Sequence, residues 1–346
     1  METGCTSSII PADKATLVAS IIQATFGQEA SAVFLLKGGL SGAIVYRIVV
    51  NGESYVLKLD TPGEEDIYAM NKIAAAAGIA PEIFYADHTQ GISISAFIDA
   101  KPVRAHFADP VSLAQAMGKL VRKMHDMPVF KKQGDMQGLV NELIKKIKAS
   151  ASAVFAAPAF DETFCYYEQV NRAYPWHDTD KVASHNDLNP NNILFDGEHI
   201  RIVDWDAAFA NDRYVDLSVA AISFANGAAQ ENALLEAYFG EALNDYNRAR
   251  FFLMRQICRI VYAIMMFQLA NTAVSGIIGS NPESLHFTMA DIGALARSGK
   301  FDVATSEGQF YYGIALFNDA LNAMRSEQFE PALRLVQSKM LEKKGK

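Results

Sequence analysis

Residues 11–26, "PADKATLVASIIQATF", carry apolar side chains at helical spacing, with Pro11 suited to a first turn and Gly27 to a stop. The apolar period then shortens from helical to alternating. "SAVFLLKGG" and "AIVYRIVVNGESYVLKLD" are rich in Val, Ile, Tyr and Phe, and Asn51-Gly52 between two such runs is a strong hairpin signal. Residues 31–60 are therefore predicted to form three antiparallel strands. A helix is predicted from Glu64 to Ala77, ended by Gly78 and followed by Pro81. Strands over 82–87 and 92–98 complete a five-stranded sheet with one inserted helix.

After Asp99 the pattern turns helical, over 110–127, 136–155 and 161–173. Two short β runs, "NILF" and "IRIVDW", interrupt it and turn at Asp196-Gly197; helical patterns resume at Val215 and continue to the end. No repeat, low-complexity tract or Pro/Gly-rich linker is present. The reading is an α+β, two-lobe chain: a small β-rich lobe over 1–98 and a large helical lobe over 99–346, joined by an extended hinge.

Composition narrows the function classes. The 346 residues suit one large domain or two lobes, and 50% apolar with 20% charged residues suits a globular chain. A formal charge of −8 argues against a nucleic-acid partner and leaves room for a cationic small-molecule substrate. Cys5, Cys165 and Cys258 form no CxxC spacing, so neither a disulfide framework nor a zinc site is expected. The N-terminus lacks a basic region followed by an apolar core. The most apolar helical run, 257–274, is interrupted by Arg259, Gln268 and Asn271 and falls short of the roughly 18 apolar residues a span needs. The expectation is a buried helix, no membrane insertion and a cytoplasmic protein. No pattern speaks to oligomeric state.

The chemistry concentrates in residues 184–206, "SHNDLNPNNILFDGEHIRIVDWD". A loop followed by two short strands would bring Asp187, Asn192 and Asp204 together, because the hairpin folds back past the loop. Clustered carboxylate and amide oxygens suit a hard cation, and magnesium with phosphate is the usual combination.

The spacing H-x-D-x-x-x-x-N followed by an apolar run into I/V-D resembles the protein kinase-like superfamily. Asn186 and Asp204-Trp205-Asp206 depart from the protein kinases themselves. "HNDLNPNNIL…IVDWDAAFANDRYVDLS" instead looks like the aminoglycoside phosphotransferase and choline/ethanolamine kinase family. The resemblance runs from about Leu36 to Ser218. It implies a protein kinase-like fold and ATP- and Mg2+-dependent phosphoryl transfer, with Asp187 as base and Asn192 and Asp204 as metal ligands. His185 would hold the catalytic loop, and Asp216 would brace it.

By the same resemblance Gly38, Gly39 and Ser41 would meet phosphate oxygens, although the family usually has Asn where Gly42 stands. Lys58 would meet the α- and β-phosphates, oriented by Glu65 or by its neighbour Asp66. Backbone groups from Ser95 to Ile98, with Phe97 nearby, would bind adenine. The favoured acceptor is a hydroxyl of an amino alcohol such as choline or ethanolamine. Asp206 would face its cationic head, and Trp205, Tyr214, Tyr262, Phe267, Tyr311 and Tyr312 offer aromatic faces. An aminoglycoside, thiamine, homoserine or methylthioribose are the alternative acceptors. From another class comes an inactive nucleotide-binding scaffold, against which the set Lys58, Asp187, Asn192 and Asp204 weighs.

Overall fold

The computed structural model describes residues 9–36, 42–63, 65–149, 158–177, 181–270, 277 and 282–344. Helix α1, Ala12–Phe26, ends at Gly27 in the left-handed conformation (φ 73°). Strands β1 (Ala32–Leu35), β2 (Ile44–Val50), β3 (Glu53–Leu59), β4 (Ile83–Asp87) and β5 (Ile92–Ala96) form one antiparallel sheet in the order β1-β2-β3-β5-β4. Helix α2, Glu65–Ala76, is inserted between β3 and β4. Asn51 and Gly52 both take positive φ (55° and 81°), as a tight two-residue hairpin between twisted strands requires.

Strand alternation decides which side chains face the core. Tyr46, Ile48, Val50, Leu57, Ile92 and Ile94 turn to one side and pack with Val18, Ile21 and Ile22 of α1. Lys58, between the buried Leu57 and Leu59, is thereby directed to the opposite face. Gly91 sits at the turn into β5 with φ 65°, and a Cβ there would lie 2.2 Å from the Asp60 carbonyl oxygen. Its own carbonyl accepts from the Asp60 N–H at 2.7 Å, fixing the end of β3.

The helical elements follow. They are α3 (Val103–His106), α4 (Pro110–His125), α5 (Met136–Lys148) and α6 (Pro158–Ala173). Strands β6 (Lys181–Ser184) and β9 (Phe209–Asp212) pair with each other, and the hairpin β7 (Ile193–Phe195) and β8 (Ile200–Ile202) lies between them in sequence. Then come α7 (Arg213–Phe224), α8 (Ala228–Phe239), α9 (Asp245–Ala270), α10 (Met289–Arg297), α11 (Ser306–Met324) and α12 (Phe329–Lys344).

The short elements α3, β6 and β9 are additions to the predicted set. The change from sheet to helix falls between Ala96 and Val103. Compact packing, however, groups the chain as Met1–Leu113, Leu120–Lys132 and Val182–Ala210 in one unit and the remainder in a second. The β7–β8 hairpin and the loop before it therefore pack in the same unit as the sheet.

In the second unit α9 is the central element, packed against α5, α7, α11 and α12. By length and composition it could cross a membrane, but 67% of its apolar window is buried inside the fold, as in the core helix of a globular unit. Phe160 stacks on Phe317 at 4.1 Å, and at Gly313 a Cβ would lie 2.8 Å from the Phe267 ring.

Candidate active site

The loop after β6 and the hairpin that follows it build one cluster. Asn189 caps the short turn Pro190–Asn192, accepting from the Asn191 N–H at 2.9 Å. That turn brings the Asn192 amide back to Asp187, where its Nδ2 donates to the backbone oxygen and to Oδ2, both at 3.0 Å. Asn189 Nδ2 donates to the same Oδ2 at 2.9 Å. Two amides thus hold the Asp187 carboxylate in place.

The Val203 N–H donates to the Asn192 carbonyl at 3.0 Å, so the end of the hairpin delivers Asp204 beside Asn192. Asp204 itself has φ 63°, and Asn186 on the other side of the cluster has φ 65°. Asn and Asp tolerate the left-handed region better than other side chains, but it still costs backbone energy. Neighbours hold both bends. The Ser184 hydroxyl donates to Asn186 Oδ1 at 2.9 Å, and Asn186 Nδ2 donates to the Ala207 carbonyl at 2.9 Å.

His185 is fully buried. Its Nδ1 accepts the Asp187 N–H at 3.3 Å, and its Nε2 lies 3.1 Å from the Val203 carbonyl, which fits the tautomer protonated at Nε2. The imidazole therefore ties the Asp187 loop to the strand leading to Asp204. Trp205 packs edge-on against that imidazole at 4.8 Å and donates its indole N–H to the Ile202 carbonyl at 3.1 Å.

This corrects the expected role of Trp205. At 1% exposure it supports His185 from the core and offers no face to an acceptor. The aromatic candidates of the second unit offer little more, with Tyr214, Phe267 and Tyr311 buried and Tyr262 and Tyr312 half-buried.

Lys58 reaches into the same acidic group. Its Nζ lies 2.6 Å from Asp206 Oδ2, 3.5 Å from Asp204 Oδ1 and 3.5 Å from Asp60 Oδ2. Burial lowers the ammonium pKa, but Asp206, Asp204 and Asp60 more than offset this and leave it raised. Burial pushes the Asp204 carboxyl up, Lys58 draws it down, and Asp206 pushes it up again. Asp206 was expected at the acceptor, and here it is the nearest partner of Lys58. Asp60 was not singled out in the sequence; its position after a Lys-containing strand was the only signal.

Several candidates fall elsewhere. Gly38, Gly39 and Ser41 lie outside the described residues, as does the side chain of Glu65, whose backbone begins α2. Asp66 is not among the ion-pair partners of Lys58. Ser95 lies within the sheet, opposite Val56 and Ile83. The Phe97 N–H donates to the Ser54 carbonyl at 3.4 Å, and the Arg47 guanidinium sits 4.9 Å from its ring. Sheet pairing thus engages the first part of the predicted adenine-binding segment. Ile98 lies beyond it and lines a pocket of about 650 Å³ with Ala96, Pro81, Ile83 and Arg201.

Among the described residues no group of three His, Cys, Asp or Glu has metal-holding geometry. The donor set Asn192 and Asp204 still fits a cation that takes its remaining ligands from phosphates and water. The Asn192 amide is turned so that Nδ2 bonds Asp187, while its Oδ1 accepts no hydrogen bond from a described residue. Asp204 is an acid whose charged form is disfavoured by burial and by Asp206, a penalty a cation would relieve.

A family model described as the phosphotransferase enzyme family matches residues 35–252. The chain belongs to that family. It is a phosphotransferase with a protein kinase-like fold. Its fold is similar to that of a choline/ethanolamine kinase family protein from Mesorhizobium loti, with 22% identity, 94% of this chain and 99% of that one covered, and a TM-score of 0.68. A choline kinase from Cryptosporidium parvum is similar over 93% of this chain and 98% of its own, at 12% identity and a TM-score of 0.62. Spectinomycin phosphotransferase, solved with ADP and spectinomycin, is similar over 93% and 97%, at 16% identity and a TM-score of 0.54. No curated protein matches the chain.

Proposed function

We propose that this phosphotransferase moves the γ-phosphoryl group of ATP to a hydroxyl of a small molecule, with an amino alcohol such as choline or ethanolamine as the favoured class. The observation that carries the reading is the meeting of Lys58 with Asp204 and Asp206 beside the amide-held Asp187. A buried-side lysine faced by acids that a cation would also relieve is the arrangement phosphoryl transfer needs.

Magnesium held by Asn192 and Asp204 would supply charge neutralisation on the nucleotide phosphates. The chain's own groups do the rest. Lys58, oriented by Asp206, meets phosphate oxygens. Asp187, held by Asn189 and Asn192, accepts the proton of the attacking hydroxyl. His185 keeps Asp187 and Asp204 at fixed separation by bonding the backbone next to each. Because the phosphoryl transition state is loose, rate comes mainly from this positioning.

The amino alcohol class is supported by the acidic balance of the chain and by the fold likeness to choline/ethanolamine kinases over nearly its whole length. A coupled ADP-release assay with magnesium-ATP tests it against choline, ethanolamine, thiamine, homoserine, methylthioribose and kanamycin. Turnover of choline or ethanolamine is the expected result. Turnover of kanamycin alone would overturn the acceptor class, and silence with every acceptor would leave the class without support.

A further inference from the structure

At the end of β3 one ammonium faces three acids. Lys58 Nζ lies 2.6 Å from Asp206 and 3.5 Å from both Asp204 and Asp60. Asp60 is fixed for this from two sides. Its N–H is bonded to the Gly91 carbonyl at 2.7 Å, and its Oδ1 accepts the Thr61 N–H at 2.8 Å, leaving Oδ2 to Lys58. A phosphate brought to Lys58 meets this surplus of acceptors, and its own charged oxygens also accept. Binding there calls for a further donor.

Helix α2 supplies one. It packs against β4 and against the short turn Trp205–Ala207, which carries Asp206. Tyr68 of α2 is half-buried, and its ring lies 6.3 Å from that of His88, in the turn between β4 and β5. The His88 carbonyl accepts the Gly63 N–H at 3.0 Å, so the connection into α2 is tied to the same turn that holds Asp60 through Gly91. All of these elements belong to the first unit.

The Tyr68 hydroxyl makes no hydrogen bond to another described residue. Burial raises its pKa, Asp60 raises it further, Lys58 opposes, and Asp206 and Asp87 add to the rise. The phenol therefore shares the field of the Lys58 cluster and stays protonated at neutral pH. It is a neutral donor with its bond unspent, beside the ammonium assigned to phosphate.

We propose that Tyr68 is a further nucleotide-binding residue, whose hydroxyl donates to an oxygen of the β- or γ-phosphate beside Lys58. This rests on the phosphoryl-transfer reading and is independent of the acceptor. Strand-borne ammonium and helix-borne phenol then hold the phosphates from two elements, so the seating of α2 bears on nucleotide affinity. A tyrosine kept only for packing has no need of its oxygen.

Tyr68→Phe keeps the ring and removes only that oxygen. Isothermal titration of the full-length protein and the variant, with magnesium present, compares two probes: the β,γ-imido analogue of ATP, and AMP. The analogue is expected to bind the variant about tenfold more weakly, the equivalent of about 1.4 kcal/mol. AMP lacks the β- and γ-phosphates, and its behaviour is expected to be the same with both proteins. A loss of less than about twofold for the analogue (under about 0.5 kcal/mol), or an equal loss for AMP, overturns the proposal. An unsubstituted chain that binds neither probe overturns the phosphoryl-transfer reading and this proposal with it. Analogue binding indifferent to Tyr68→Phe overturns this proposal alone.

Discussion

Asp206 Oδ2 lies 2.6 Å from Lys58 Nζ, closer than either Asp204 or Asp60 approaches the same ammonium. The acid two residues after Asp204 thus belongs to the lysine side of the cluster. Asp206→Asn is expected to raise the KM for ATP by about tenfold, or about 1.4 kcal/mol, while the acceptor KM moves much less. Steady-state kinetics with each substrate varied in turn checks this. A change confined to the acceptor KM would return Asp206 to the acceptor pocket.

Lys58→Met should lower kcat/KM by about a hundredfold or more, the range seen when a preorganised charge at a reacting group is removed. Its effect on stability should be small, because its acid partners are partly solvated and exposed pairs contribute at most about 1 kcal/mol. Lys58→Met with Asp206→Asn should lose less than the sum of the two, since each removes the same contact. Additive losses would show that the two residues act separately.

Much of this site could be read from the chain because its parts are local. His185, Asp187, Asn192 and Asp204 lie within twenty residues, and a two-strand hairpin is enough to bring them together. Lys58 was legible as a charge out of place inside an apolar strand, and alternation between Leu57 and Leu59 accounts for the face it takes. The direction of the turn after Asp204 was not legible. A left-handed Asp204 sends Trp205 inward beneath His185 and Asp206 outward to Lys58, and no side-chain pattern encodes which of two neighbours goes which way. The surroundings of Arg259 were also hidden: in the sequence it reads as an interruption of an apolar helix, and only the fold brings Asp319 to within 3.9 Å of it.

Asp187→Asn keeps an oxygen to receive the amides of Asn189 and Asn192 but cannot take a proton. Turnover should fall by about 10² to 10⁴-fold, as for loss of a positioned general base. ATP affinity by equilibrium titration should stay within about threefold, less than 1 kcal/mol. Loss of nucleotide binding along with turnover would mean that Asp187 holds the phosphate side of the site.

Gly91→Ala reaches the site through the backbone. Its left-handed φ and the 2.2 Å approach of a new Cβ to the Asp60 carbonyl both require movement. Destabilisation of at least about 1–2 kcal/mol is expected from the conformation alone, measured as a lower urea midpoint. The ATP KM should rise as well, since the Asp60 N–H is bonded to Gly91 and Asp60 is one of the acids around Lys58. An unchanged urea midpoint would show that the turn can relax.

The buried centre of the second unit gives the largest expected stability loss. Asp212 Oδ2 accepts from Arg250 Nη2 at 2.6 Å and from the Tyr174 hydroxyl at 2.7 Å. Its Oδ1 caps α7 through the Tyr214 N–H at 3.1 Å. Arg250 also lies over the Tyr214 ring at 4.5 Å. Burial draws its pKa down, but Tyr174 and Asp212 more than restore it, so the cation is kept in place by these partners. Asp212→Ala leaves that cation without its acid and removes the helix cap, and a loss of about 3–5 kcal/mol follows from breaking a buried pair. Tyr174→Phe removes only a hydroxyl and should cost about 1–3 kcal/mol. Chemical denaturation of the two variants checks the order. Equal losses would mean that the hydroxyl, and not the ion pair, holds α7 and α9 together.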